Sequence, residues 1–248
     1  MTNDLNDEVM PVDPLPIGRR EAPDIARRED ERFSLLVRSL ASEDWLAPTA
    51  CEGWDVRSMA LHVLGAAEAH DVRELVHQMR AGRRAASGRS LVDGVNDVQI
   101  ADRRHLTIPE VLTRLEVAVP EFERFRRRLP RPVRWIRVPA PGVGSVSMGA
   151  LMDVIYTRDS WLHRVDIHQA IGREQRFDGH DARIVSDVVA EWARRHEEPY
   201  RLVLTGPAGG TYGRGDGGER IEIDAVEFCR VLSGRSHGDG LLTTPVLF

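Results

Sequence analysis

Asp159 and His163 stand four residues apart in the stretch Tyr156 to Gly172. On a helix that spacing stacks them one turn over the other on the same face. A carboxylate and an imidazole so placed can both reach one divalent cation. Asp166, three residues beyond His163, falls near the same stripe, whereas His168, five beyond, points elsewhere. An isolated Asp/His pair at this spacing is more often a surface hydrogen bond or ion pair, so a metal site needs a third ligand from elsewhere. His62, in the segment Ser58-Met59-Ala60-Leu61-His62-Val63-Leu64-Gly65, is the candidate. On so apolar a segment two readings stand side by side: a core histidine with one satisfied nitrogen, or a ligand facing a bundle interior. His70 and His77 share a stripe seven residues apart. Two helical turns are about 10.5 Å along the axis, too far for one metal, so both read as surface or partner-facing.

Several chemistries are excluded by composition. All 34 basic residues are Arg, which removes Schiff-base and P-loop lysine chemistry. A net charge of -5 gives no reason to expect nucleic acid, and no recognition helix is evident. Cys51 and Cys229 lie far apart without CxxC spacing, so neither a disulfide framework nor a thiolate zinc site is indicated. Cys51 reads as a buried structural thiol, because no His/Asp partner stands at a fixed spacing from it. No apolar run reaches the roughly 18 residues of a membrane span, and the acidic N-terminus lacks the regions of a signal peptide. The expected location is the cytoplasm.

The elements that must position these residues follow from periodicity. Residues 1–20 read as a mobile arm. A first helix begins at Pro23, with Ile25, Phe33, Leu36, Val37 and Leu40 as its apolar stripe. A turn-rich loop, Asp44 to Asp55, carries Trp45 and Trp54, and Asp55 caps a second helix expected to run from Val56 to about Arg80. Residues 82–94, rich in Arg, Gly and Ser, read as a flexible connection, and 95–102 as the extension or start of a helix. Thr107 and Glu110 form a capping-box pattern for a third helix ending near Leu129, with Pro120 expected to kink or break it. Residues 130–147 form a long connection with a short extended piece at Val133 to Val138. A fourth helix runs from Met148 to Ile171. After Gly172 the pattern changes to a helix near 181–196, a strand at 201–206, Gly-rich hairpin turns, a strand at 220–224 and a helix at 225–232, with Thr244 to Phe248 closing a small sheet. The chain is therefore expected to be mainly α, a four-helix bundle over 21–172 followed by a small α/β domain over 173–248.

Taken together, Asp44-Trp45, Pro48-Thr49-Ala50-Cys51-Glu52-Gly53-Trp54-Asp55-Val56-Arg57, His62, Arg158-Asp159-Ser160-Trp161-Leu162-His163-Arg164-Val165-Asp166-Ile167 and Ala170-Ile171-Gly172 resemble the mycothiol-dependent maleylpyruvate isomerase family. The metal-binding domain of that family is a DinB-like bundle, and the resemblance covers roughly residues 20–172. The segment Arg230 to Arg235 resembles its C-terminal domain more loosely. The resemblance implies a divalent metal, zinc in the first instance, held by His62, Asp159 and His163, with Asp166 as a rival ligand or a partner orienting an imidazole. The family commonly has Glu where this chain has Asp159, one methylene shorter. Mycothiol would be the thiol cosubstrate. It would act either in cis–trans isomerisation, adding to a conjugated double bond and leaving after rotation, or in S-transfer to an electrophile. Arg230 and Arg235 are candidates for binding the thiol or substrate carboxylates. The partners implied are a small electrophile or unsaturated acid and a low-molecular-weight thiol, without nucleic acid or membrane, and a homodimer suits such bundles. The competing reading is a non-catalytic metal- or ligand-binding bundle.

Overall fold

The computed structural model describes residues 12–248, and the chain divides into two compact units. The larger comprises Gly18–Gln175 with Leu247–Phe248, and the smaller, among the described residues, 12–17 with 176–246. Among the described residues no helix is long and apolar enough to cross a membrane.

The larger unit is helical. Its principal helices are α1 (Ala22–Arg38), α2 (Val56–Glu68), α3 (Val72–Ala85), α4 (Leu91–Ala101) and α5 (Ile108–Arg128). Two short pieces, α6 (Arg131–Arg134) and α7 (Met148–Ala150), flank an antiparallel hairpin of β1 (Arg137–Ala140) and β2 (Gly144–Ser147). A π-helical turn, Leu151–Ile155, then leads into α8 (Tyr156–Ala170). The bundle proper is α1, α2, α5 and α8, around a core that includes Phe33, Val37, Trp45, Met59, Leu64, Val111, Leu115 and Ile167. Its two inner helices are buried almost all round: ten residues of α2 and ten of α8 are shielded from solvent. Helices so enclosed must compensate any charge they carry. Arg164 of α8 does so with Glu29 of α1, through contacts of 2.6 and 3.1 Å, and the pair pins the two helices together.

Four expectations need correction here. The second helix does not continue to Arg80. It ends at Glu68, and a new helix starts at Val72, capped by the Asp71 carboxylate accepting from the Arg73 amide. The Gly82–Gly94 segment is not a flexible connection: α3 ends at Ala85 and α4 begins at Leu91, capped by a Ser90/Asp93 capping box. The glycines serve close packing. A Cβ on Gly94 would lie 2.1 Å from the Gly82 carbonyl oxygen, and one on Gly82 would lie 2.7 Å from Val95. Their missing side chains let α3 and α4 cross in contact. Pro120 does not break α5, which runs unbroken from Ile108 to Arg128 behind the Thr107/Glu110 capping box. The fourth helix is interrupted by the π turn, whose Met152 carbonyl accepts from the buried Arg126 guanidinium.

In the smaller unit, α9 (Gly179–His196) is followed by β3 (Tyr200–Thr205), β4 (Gly210–Arg214), β5 (Glu219–Asp224) and α10 (Ala225–Leu232). The sheet order is β4-β3-β5, with β3 antiparallel to β4 and parallel to β5. The Gly-rich segment thus holds a strand, with Tyr212 buried. Residues 244–248 form no strand. The chain there follows a short 3-10 turn, Gly240–Thr243. Residues 1–11 of the expected mobile arm lie outside the described residues. From Val12 onward the arm is tied down: Val12 bridges Tyr212, and the amides of Leu15 and Ile17 donate to Ser186 and Asp187. Trp192 packs edge-to-face on Tyr200 and Phe228, its ring N–H donating to the Leu241 carbonyl.

The close helix crossing is directly testable. Gly94→Ala is expected to cost about 2–3 kcal/mol, the scale of overpacking at a site that cannot relax. Urea unfolding would measure it, and a flexible 82–94 loop would instead show no loss.

Candidate metal centre

The site is assembled from two helices and the loop before one of them. That loop is closed by a bridge between Pro48 and Asp55 and by the Thr49 hydroxyl donating to the Trp54 carbonyl. Gly53 supplies the left-handed residue (φ 76°) that turns the chain back. Asp55 then caps α2, accepting from the Ser58 amide at 2.7 Å. These contacts fix Trp54 next to His62, in the second turn of α2.

His62, Asp159 and His163 converge. The Asp159 carboxylate lies 3.3 Å from His62 Nε2 through one oxygen and 3.1 Å from His163 Nε2 through the other. The imidazoles stand edge to face, their centroids 5.2 Å apart, and the Trp54 ring lies 5.1 Å from His62 and 6.0 Å from His163. Asp159 reaches both histidines although it is one methylene shorter than Glu. It is also the partly exposed member, while both histidines are buried. One ligand atom from each residue lies within 4.8 Å of the others.

The electrostatics suit a cation. Burial opposes ionisation of Asp159, but His163 and His62 hold its carboxyl well below the usual carboxylate range. Burial likewise opposes a charged His163, yet the Asp159 carboxylate raises it well above the ordinary imidazole value. Neither ring nitrogen of buried His163 has a partner in hydrogen-bond geometry. His62 Nδ1, by contrast, is engaged at 2.8 Å by the Gln99 amide oxygen, which leaves Nε2 for the interior of the site. An orphaned buried imidazole and two imidazole nitrogens aimed at one carboxylate fit a divalent metal such as zinc.

Asp166 does not join this group. It faces the other side of the His163 ring, 3.8 Å from Nδ1, with Cys51 Sγ 3.9 Å from its carboxylate. Cys51, His163 and Asp166 form a second cluster of possible ligands within 4.8 Å. Cys51, expected as a buried structural thiol, is half-buried beside His163 and Asp166; Cys229 is fully buried. His70 bonds the Ala67 carbonyl, exposed His77 pairs with Asp102, and His168 meets the Arg173 carbonyl, so none of the three joins the centre. Arg230 and Arg235 belong to the smaller unit, where Arg230 pairs with Glu227 at 3.2 Å.

Sequence reading missed Gln99 and Gln78. Both are buried glutamines on short helices, and the only signal was a polar residue flanked by Val98 and Ile100. It also missed a cavity of about 20 Å³, the size of one water, lined by Asp159, Ser160, Tyr156, Arg126 and Asp30.

Residues 26–168 match the model of the mycothiol maleylpyruvate isomerase N-terminal domain. The chain belongs to that family. Two solved structures share the fold, that of the mycothiol-dependent maleylpyruvate isomerase and that of its histidine-to-alanine H-to-A mutant. Each is 17% identical, with a TM-score of 0.59, and the alignment covers 89% of this chain and 90% of theirs. No curated protein matches the sequence. The family model covers the helical bundle, and the likeness to the solved structures extends to the mainly α fold with its small α/β part.

Burial also gives Asp30 a pH signature. Loss of hydration pushes its carboxyl up to about 7, against the pull of Arg126 3.9 Å away. The folded protein then holds a proton that the unfolded chain loses near 3.8. Stability contributed by this group is full below that value and declines as pH rises to about 7. Asp30→Asn should flatten the slope of unfolding free energy between those values; an unchanged slope would assign the pH dependence elsewhere.

Proposed function

We propose that this chain is a metal-dependent enzyme that uses mycothiol as a cosubstrate thiol and isomerises a small unsaturated acid of the maleylpyruvate class. The observation that carries the reading is the convergence of His62 Nε2, His163 Nε2 and the Asp159 carboxylate. Membership of the mycothiol maleylpyruvate isomerase family supports the choice of thiol and substrate class.

His62, Asp159 and His163 would hold the cation. Two imidazoles and one carboxylate are the donor set of a catalytic site, which leaves coordination positions open, rather than of a closed structural one. When bound, a divalent ion supplies one thing: it keeps a thiol in its nucleophilic thiolate form near neutral pH. The protein's own groups do the rest. The helix frame holds the two imidazoles edge to face, Gln99 meets His62 Nδ1, and the Trp54 ring packs beside both imidazoles. Asp159, the partly exposed ligand, marks the side on which the site opens.

The test is turnover of maleylpyruvate with mycothiol by zinc-loaded and chelator-treated protein, with His163→Ala as control. Isomerisation that requires both thiol and metal, and that falls at least 100-fold in the variant, is the expected result. A sulfur adduct as product would instead make the protein an S-transferase. Stoichiometric metal with no turnover of either kind would leave a binding bundle.

A further inference from the structure

Helices α3 and α4 are an insertion between two bundle helices, and neither supplies a candidate ligand. Their buried polar side chains nevertheless lead straight to the site. The Gln78 side-chain N–H₂ donates to the Gly65 carbonyl at 2.8 Å and to the Glu74 carboxylate at 2.8 Å. Gln99 Nε2 donates to Gln78 Oε1 at 2.9 Å, and Gln99 Oε1 faces His62 Nδ1 at 2.8 Å. Gln78 and Gln99 are 1% and 4% exposed, so water cannot substitute for any of these partners.

We propose that Gln78 and Gln99 form an amide relay that sets the tautomer of His62 and thereby aims its Nε2 lone pair at the metal position. Donors and acceptors along the chain of amides must alternate. A backbone carbonyl can only accept, so the group that meets Gly65 must be the Gln78 N–H₂. The Gln78 oxygen is then left toward Gln99, which must present its own N–H₂ there. The Gln99 oxygen is in turn left toward His62, whose Nδ1 must carry the hydrogen. A neutral ring has only one, so Nε2 is bare and faces Asp159.

The fold supplies what the relay needs at each end. Because α2 stops at Glu68, the Gly65 carbonyl falls in its last turn, where helix carbonyls lack backbone donors. Gly65 also allows α4 to approach, since a Cβ there would lie 2.6 Å from Gln99 Cβ. The Arg103 guanidinium closes the network, donating to the Gln99 carbonyl at 3.0 Å and to Glu68 and Glu74 at 2.8 and 2.6 Å. Both glutamines are positioning residues, acting on the site only through His62.

The relay rests on the metal-centre reading for its purpose but not for its existence, and two measurements separate them. Long-range ¹H–¹⁵N NMR of the metal-free protein, at a pH where His62 is neutral, reports which nitrogen is protonated. Competition with a chromogenic chelator reports zinc affinity. The wild type is expected to show Nδ1–H. Gln99→Leu removes the acceptor and should move the proton to Nε2, where Asp159 accepts it, weakening zinc binding about 10- to 100-fold, the usual cost of losing a ligand-orienting partner. Gln99→Glu restores an acceptor and should recover Nδ1–H with affinity near wild type. Should Gln99→Leu fail to fold, Gln78→Met, which frees the Gln99 amide to rotate, should give a mixture of tautomers. An Nε2–H ring in the wild type, or variants that change neither tautomer nor affinity, would overturn the relay. Nδ1–H in a wild type that binds no zinc would uphold the relay and remove the metal centre instead.

Discussion

The constraint on which this structure turns is the meeting of one carboxylate with two buried imidazoles inside a helical bundle. Asp159 sits 3.1 and 3.3 Å from nitrogens that lie on different helices. With His62 Nδ1 committed to Gln99, the lone pairs of Nε2 and of the carboxylate confront each other unless something positive lies between them. A divalent cation would meet that need, because it would satisfy the carboxylate and both rings at once. Site and bundle packing are therefore one problem: α2 and α8 can stay enclosed only if the charges they bring inside are paired.

The pairing is systematic. Arg164 is neutralised by Glu29 of another helix, and Arg103, just past the end of α4, by Glu68 of α2 and Glu74 of α3. The glutamine pair extends the same logic to uncharged groups and links the α3–α4 hairpin to the site. That hairpin depends on backbone contact between Gly82 and Gly94. A steric requirement far from the chemistry thus bears on the angle of an imidazole.

Much of this was legible in the sequence because it rests on spacing within one helix. The Asp159/His163 stripe, the Asp55 cap, the Thr107/Glu110 box and the apolar periodicity of α1 and α5 are local patterns, and the structure has each as a local feature. What was misread depends on contacts between elements. Gly82 and Gly94 look like loop residues until another helix is seen pressed against them. Pro120 looks like a breaker until packing of Val111, Leu115 and Phe122 on the bundle carries the helix through it. Tyr212 gave no sign of a strand amid its glycines, because its partner β3 lies outside that window. Cys51 reads as a buried structural thiol because its neighbours, His163 and Asp166, are more than 100 residues away.

His163 stands between two clusters, with Asp159 and His62 on its Nε2 side and Asp166 and Cys51 on its Nδ1 side. X-ray absorption at the zinc edge of the loaded protein, without added thiol, decides between them. Nitrogen and oxygen neighbours at about 2.0–2.1 Å and no sulfur are expected. A sulfur neighbour at about 2.3 Å would place the ion on Cys51 and contradict the assignment of His62, Asp159 and His163 as the metal ligands.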